Sequence, residues 1–321
     1  MKVVKSAKHL GVLISENLSF KAEVKARSAN AKTIMTAMKR VCAPTWGVGP
    51  RVMMVMYKSV FMPIILYGAG VWGHVIHQNV KEGRNRVRAS QRSALIAATG
   101  SYRTVSFVAV VALAGVLPID HEIEIRCRVE KMKYDLLKQG VSKKEKKTEA
   151  NTLERTLRAE AWEKWQHEWE NEHRGVRTRR FIPDVKEWAL TETRVGAHMS
   201  GYITGHLGVN SFLRSVGATD TDLCPCGEVE TVDHVVWNCC FYQESRLRLI
   251  EELGEADPSD LKVFYPVPST SDTGRYRSGK RDSSPARPGQ RKWRDRNGDP
   301  SGGNRCGASA TAAPIKTQHG C

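Results

Sequence analysis

Apolar residues recur every three to four positions over much of the chain and set out a series of amphipathic helices. Val24, Ala31, Ile34 and Met38 share a period near 3.6 and predict a helix from residue 19 to about 41. Upstream, residues 8–14 (Lys-His-Leu-Gly-Val-Leu-Ile) are aliphatic and β-branched, and predict one short strand. Pro44 and Gly47-Val48-Gly49-Pro50 break the pattern. A Met-rich helix resumes over residues 51–57, and Pro63 interrupts the run to Leu66. Further helices are predicted over residues 80–98, over 106–114 with Gly115 closing it, and over 119–138 with Gly140 as the cap.

The next stretch changes character. Of the 40 residues from 141 to 180, 19 are charged. Leu153, Leu157, Ala161 and Trp165 step by four, flanked by Trp162 and Trp169. This predicts one amphipathic helix with a solvated opposite face, its tryptophans packing rather than stacking on bases. It reads as a helical linker between two folded parts. Beyond Pro268 the large apolar residues nearly vanish (Tyr276, Trp293, Ile315), so the tail cannot offset its chain entropy. The expected organisation is mainly α: a helical region over 1–138, a linker over 139–180, a small Cys/His module within 181–265, and a disordered basic tail over 266–321.

Charge sharpens that division. The 321 residues carry a formal net charge of +16, which points to a polyanionic partner. The charge is uneven: +14 over residues 1–138, +3 over 139–180, −8 over 181–265 and +7 over 266–321. No stretch reads as a membrane span, and Met1-Lys2-Val3-Val4-Lys5 has no apolar signal-peptide core. Eight cysteines are scattered, with a tight cluster at 224–240. That pattern suits a reducing compartment and a metal site better than a disulfide framework.

The strongest chemical signal is Cys224-Pro225-Cys226, then His234, then Cys239. Three thiolates and an imidazole complete the tetrahedron that structural Zn²⁺ prefers, with no open position for catalysis. Cys240 is adjacent and is read as a spectator. Gly68-Ala69-Gly70-Val71-Trp72-Gly73 fits a dinucleotide-loop spacing, but the acid expected some twenty residues on is missing and Trp72 crowds the loop. His167-Glu168 and His173 do not share a helix face, so a metalloprotease site is dismissed. Arg84, Arg88 and Arg92 step by four along one helix face with almost no local acid. Such a stripe can neutralise phosphates and is the candidate nucleic-acid contact.

The order of local motifs resembles the C-terminal part of the Pol polyprotein of type-1 retrotransposable elements that insert into ribosomal DNA. Lys8-His9-Leu10-Gly11-Val12 resembles the segment after the catalytic palm of non-LTR reverse transcriptases, followed by Leu18-Ser19-Phe20. The stretch from Pro63 to Ala69 with Trp72, Gln91-Arg92, Gly100 to Thr104, and Ala114 to Ile119 follow in order. Then come Thr204-Gly205-His206, Phe212-Leu213, and Cys224 to Cys239 ending in Arg246. His9 stands where the family has Tyr, and a His expected near Glu23 is absent.

The resemblance implies a parent RNA-directed DNA polymerase with an endonuclease, acting by target-primed reverse transcription. Leu10 and Gly11 would lie in a primer-grip-like strand, residues 20–138 in a thumb, and Cys224, Cys226, His234 and Cys239 in a zinc knuckle. Partners would be the RNA template and target DNA. The setting would be intracellular, nuclear during integration and cytoplasmic as an RNA–protein particle. Mg²⁺ would belong to a palm whose paired Asp motif is expected upstream of Lys8. This sequence has no Asp-Asp pair, so the chain is expected to be inactive alone. The alternative is a non-enzymatic, zinc-dependent protein-interaction module, favoured by the acidity of residues 181–265.

Overall fold

A computed structural model describes residues 4–39, 49–77, 81–191 and 195–253 of the chain. They are mostly helical, with one two-stranded sheet at the start. The expected tail over 266–321, and Pro44 with Gly47-Val48, lie outside the described residues.

The predicted single strand is a hairpin. β1 (Ser6–His9) pairs antiparallel with β2 (Val12–Ser15), with His9 opposite Val12. Leu10 and Gly11 form the turn between them, both at positive φ (43° and 82°). A two-residue loop with both φ positive matches the right-handed twist of its strands, and Gly11 supplies half of it without strain. Leu10 and Gly11 therefore sit at a hairpin tip, not inside a strand.

The hairpin is pinned to α1 (Lys21–Lys39) by a buried carboxylate. Glu23 accepts the Leu13 amide at 2.8 Å and the Arg27 Nε at 2.5 Å, while Arg27 Nη2 donates to the Gly11 carbonyl at 2.5 Å. The i, i+4 spacing places Glu23 and Arg27 one turn apart, facing the sheet edge.

From Pro50 the chain stays helical through Pro63. α2 (Pro50–Met56) passes into a π turn (Tyr57–Phe61) and then into α3 (Met62–Leu66). Pro63 has no N–H to give and its ring crowds the carbonyl four residues back. The wider turn just before it, closed by the Met62 amide on the Tyr57 carbonyl, absorbs that defect instead of ending the helix.

Two short helices follow, α4 (Ala69–Trp72) and α5 (His74–His77). The glycines of the rejected dinucleotide pattern serve packing. A Cβ on Gly70 would stand 2.8 Å from the Glu130 Cβ, and one on Gly73 would stand 2.9 Å from Ile123. Their absence lets α4 lie directly against α8 (Ile119–Lys138).

α6 (Lys81–Thr99) runs through the middle, against α1 and α7 (Phe107–Ala114). α7 begins and ends where its sequence says it should. Ser106 caps the Ala109 amide, and Gly115 ends the helix at φ 61°.

The charged segment is two helices, not one. α9 (Lys143–Asn171) opens on a reciprocal capping box between Ser142 and Glu145. It stops before Gly175, whose φ of 81° turns the chain into α10 (Val176–Phe181). The segment expected as a connector contributes Leu157, Ala161, Trp165 and Trp169 to the same core as α1, α6 and α8. Trp165 and Trp169 are fully buried, and truncating either to Ala is expected to cost about 3–5 kcal/mol.

α11 (Val185–Leu190), α12 (Ala197–Thr204) and α13 (Asn210–Ser215) complete the body. The Cys/His segment and α14 (Gln243–Leu253) follow. No helix among the described residues is long and apolar enough to cross a membrane.

Candidate metal centre and basic face

Two local structures build the centre. The first is a tight turn. The Gly227 amide donates to the Cys224 carbonyl at 2.8 Å, the Cys224 amide donates to the Glu228 carbonyl at 2.7 Å, and Leu223 bridges Val229. The turn aims both Cys224 and Cys226 to one side.

The second is a π turn over His234–Asn238, begun by Thr231 Oγ1 accepting the His234 amide. The Cys239 amide donates to the His234 carbonyl at 2.7 Å. This i→i+5 bond explains the spacing. Five residues overshoot a 3.6-residue turn but fit a π turn, so Cys239 returns beside His234.

The ligand atoms of Cys224, Cys226, His234 and Cys239 all lie within 4.8 Å of one another. Cys224 Sγ is 3.4 Å from Cys239 Sγ, and Cys226 Sγ is 3.2 Å from His234 Nε2. A tetrahedral site with metal–sulfur bonds of about 2.3 Å and a metal–nitrogen bond of about 2.0 Å has edges of roughly 3.5–3.8 Å. The four side chains thus fit one metal ion, and their softness suits a thiolate-binding metal. Cys224, His234 and Cys239 are buried, while Cys240 is exposed and stands outside the group.

The surroundings favour that arrangement. Glu228 stands 3.1 Å from His234 Nδ1, an outer carboxylate that leaves Nε2 facing the thiols. Burial opposes it at Cys224, pushing that thiol up to about 12, while the Glu228 backbone amide draws Cys226 down to about 7, toward its thiolate. Arg246 donates to the Cys239 carbonyl at 2.9 Å and to the Val236 carbonyl at 3.4 Å, tying α14 to the centre.

The centre is fastened to the helical body by side chains that local spacing does not reveal. Arg177 donates to Asp233 at 2.8 Å and to the Tyr202 carbonyl at 3.0 Å. The Arg177 guanidinium holds the Asp233 carboxyl below the usual carboxylate range. Arg214 pairs with Asp222 at 2.8 Å, and Asn210 donates to the Leu223 carbonyl. Arg246 of α14 stands at the end of the motif order.

The arginine stripe is placed differently from its sequence reading. Arg84, Arg88 and Arg92 do share α6, but tertiary acids and carbonyls meet them. Arg88 makes two hydrogen bonds to Asp120 and a third, at 3.3 Å, to Glu168. Arg84 lies 3.8 Å from the same Asp120. Arg92 donates to the carbonyls of Val105 and Arg103. The countering acids come from α8 and α9, which a reading of α6 alone does not see.

Distant members of the motif order meet in space. Ser101 Oγ lies 2.6 Å from both Thr99 Oγ1 and Ser200 Oγ, a buried hydroxyl chain from α6 to α12. Thr104 Oγ1 lies 2.7 Å from His206 Nδ1, and Tyr102 packs edge-on against Phe212. Gln91 is fully buried. It donates to Tyr57 Oη and to the Leu117 carbonyl, and accepts the Ile119 amide.

A mostly helical chain with these motifs and a Cys₃His cluster is retrotransposon-derived, as its relatives show. Those relatives are encoded by R1 type-1 retrotransposable elements. The chain is 30% identical over 260 residues to a retrovirus-related Pol polyprotein of element R1 2 from Nasonia vitripennis, covering 79% of this chain and 62% of that protein. It is 30% identical over 267 residues to a putative 115 kDa protein in element R1DM of Drosophila melanogaster, covering 78% and 25%. It is 27% identical over 245 residues to an R1 Pol polyprotein of Bradysia coprophila, covering 74% and 24%. The chain therefore spans less than two thirds of each of these three relatives. No protein-family model matches the chain, and no solved structure does.

Proposed function

We propose that the chain is part of an R1-type reverse transcriptase polyprotein and holds nucleic acid for it, namely template RNA and target DNA. The observation that carries this reading is the similarity to R1 Pol polyproteins over 79% of the chain. The +14 net charge of residues 1–138 supports placing the contact there, in a thumb-like region. The sequence has no Asp-Asp pair, so this reading leaves Mg²⁺-dependent polymerisation to another part of the polyprotein.

In the same reading, Cys224, Cys226, His234 and Cys239 hold structural Zn²⁺ as a zinc knuckle. The ion supplies folding energy to residues 222–242, and those residues position α14 and the α12–α13 face. The protein works in the nucleus during integration and in the cytoplasm as an RNA–protein particle. The test is binding of the full chain to an RNA annealed to a recessed DNA primer. Retention of the primed template supports the reading, and no retention at low salt overturns it.

A second reading has its own observation. Phe241, Leu247 and Ile250 are exposed beside the centre, in the segment whose net charge is −8. That surface suits a protein partner better than phosphate. Capture of a protein by residues on this surface, with no nucleic-acid binding by the chain, would favour it.

A further inference from the structure

A groove of about 980 Å³ runs between α3–α4 and α8, apart from the arginine stripe and from the metal centre. We infer that it takes a single strand of RNA or DNA, with Tyr67 and Tyr134 against the bases and Lys58, Arg126 and Lys131 toward the phosphates. This inference rests on the nucleic-acid-holding reading and gives it a place.

Three features of the groove carry it. Its lining is mostly apolar, with Met62 and Leu66 half-buried and Val71 exposed. Its sides bring three cations, all exposed, against one carboxylate, Glu130. Glu130 is already held by Arg126 and Lys133, each at 3.3 Å, which mutes its repulsion of an anion. No described carboxylate pairs with Lys58 or Lys131.

The third feature is the pair of exposed tyrosines, both steadied by neighbours. Tyr67 donates to the Leu10 carbonyl at 2.9 Å and lies under the Arg27 guanidinium at 4.6 Å. Tyr134 lies under Lys138 Nζ at 4.5 Å. A ring already fixed loses little freedom when a base stacks on it. The hairpin that Tyr67 holds carries Lys8 on an exposed strand position, extending the cationic border.

Apolar lining, fixed rings and cations together match a single strand, whose base faces are free to stack. A duplex hides those faces and would use only the cations. An acidic peptide would use the cations and apolar lining but has no need of the two rings.

The test uses the full chain and a short uridine-rich RNA carrying 4-thiouridine. Fluorescence anisotropy reads affinity, and photo-crosslinking of the unsubstituted protein reads position. Tyr134→Ala, and separately the double variant Lys58→Ala/Lys131→Ala, are each expected to weaken binding about tenfold. Lys186→Ala on α11 is expected to leave binding unchanged. Crosslinks are expected on peptides that contain Tyr67 or Tyr134.

Unchanged affinity in both groove variants, or crosslinks confined to other peptides, overturns the groove assignment while the nucleic-acid reading stands. No RNA binding by the unsubstituted chain overturns both. Preference for an acidic amphipathic peptide over the RNA, weakened by the same substitutions, overturns the assignment in favour of a protein ligand.

Discussion

Arg88 and Asp120 face each other through two parallel hydrogen bonds, Nε to Oδ1 at 2.9 Å and Nη2 to Oδ2 at 2.6 Å. The pair joins α6 to α8, and Glu168 extends it to α9. Asp120 is nearly buried, with 6% of its side chain exposed. Removing Arg88 would strand that carboxylate in the core. Arg88→Ala is therefore expected to cost about 3 kcal/mol, read by denaturant unfolding. Its loss of nucleic-acid affinity is expected to follow its loss of fold.

The same pair sets a pH dependence. Burial raises the Asp120 pKa, but the Arg88 hydrogen bonds and charge outweigh it and hold the carboxyl below its ordinary range. Glu168 is shifted the same way, with burial opposed by His121 and Arg88. A depressed folded-state pKa gives stability that is fully present above the unfolded value, about 3.9 for Asp. That stability is lost as pH falls through the lower folded value. Unfolding midpoints measured against pH should drop on acidification, and Asp120→Asn should flatten the acid limb while lowering stability at neutral pH.

Gln91 satisfies three groups at once in a fully buried setting. Gln91→Leu keeps the volume but leaves Tyr57 Oη, the Leu117 carbonyl and the Ile119 amide without this partner. A cost of about 3 kcal/mol is expected, because stranded buried polar groups keep their full desolvation penalty. Thermal unfolding of the variant checks it.

Metal removal should act locally. Metal binding contributes on the order of 10 kcal/mol in small zinc modules. Cys239→Ser or His234→Ala is expected to abolish stoichiometric zinc and to open residues 222–242 to proteolysis. Cys240→Ser is expected to retain the metal. The core of α1, α6, α8 and α9 should survive, since its buried residues do not include the ligands. Metal analysis with limited proteolysis reads both effects.

The link between Arg177 and Asp233 should matter for docking more than for stability. Asp233 is half exposed, so the pair is expected to contribute at most about 1 kcal/mol. A double-mutant cycle with Arg177→Ala and Asp233→Asn reads it, and hydrogen exchange over residues 222–242 should rise in either variant.

What could be read from the chain beforehand divides by sequence distance. Ser106 and Gly115 mark the ends of α7 in the sequence as they do in the fold, because caps are local devices. The four residues of the Cys₃His cluster lie within 16 residues of one another, so their spacing is legible in the sequence. The hairpin is hidden in the sequence because its tip is Leu10-Gly11, without the Asn or Asp that usually marks such a turn. Gly175 divides α9 from α10, but a lone glycine in a strongly helical, charged stretch is a weak signal of a break.

The larger differences come from tertiary partners. Arg88 meets acids 32 and 80 residues away, which the sequence of α6 alone does not display. Pro63 lies within a continuing helix because the preceding π turn makes room, which periodicity does not register. The groove of Lys58, Tyr67, Lys131 and Tyr134 draws on segments far apart in sequence and carries no local motif.

The most direct measurement of the central claim is the salt dependence of RNA binding by the full chain. If residues 1–138 neutralise phosphates, log K should fall linearly with log salt, with a slope of about −2 or steeper for three or more contacts to a single strand. The groove double variant Lys58→Ala/Lys131→Ala should make that slope shallower by about 1.4. Affinity that is absent at low salt, or that does not change with salt, would contradict a nucleic-acid-holding role for this chain.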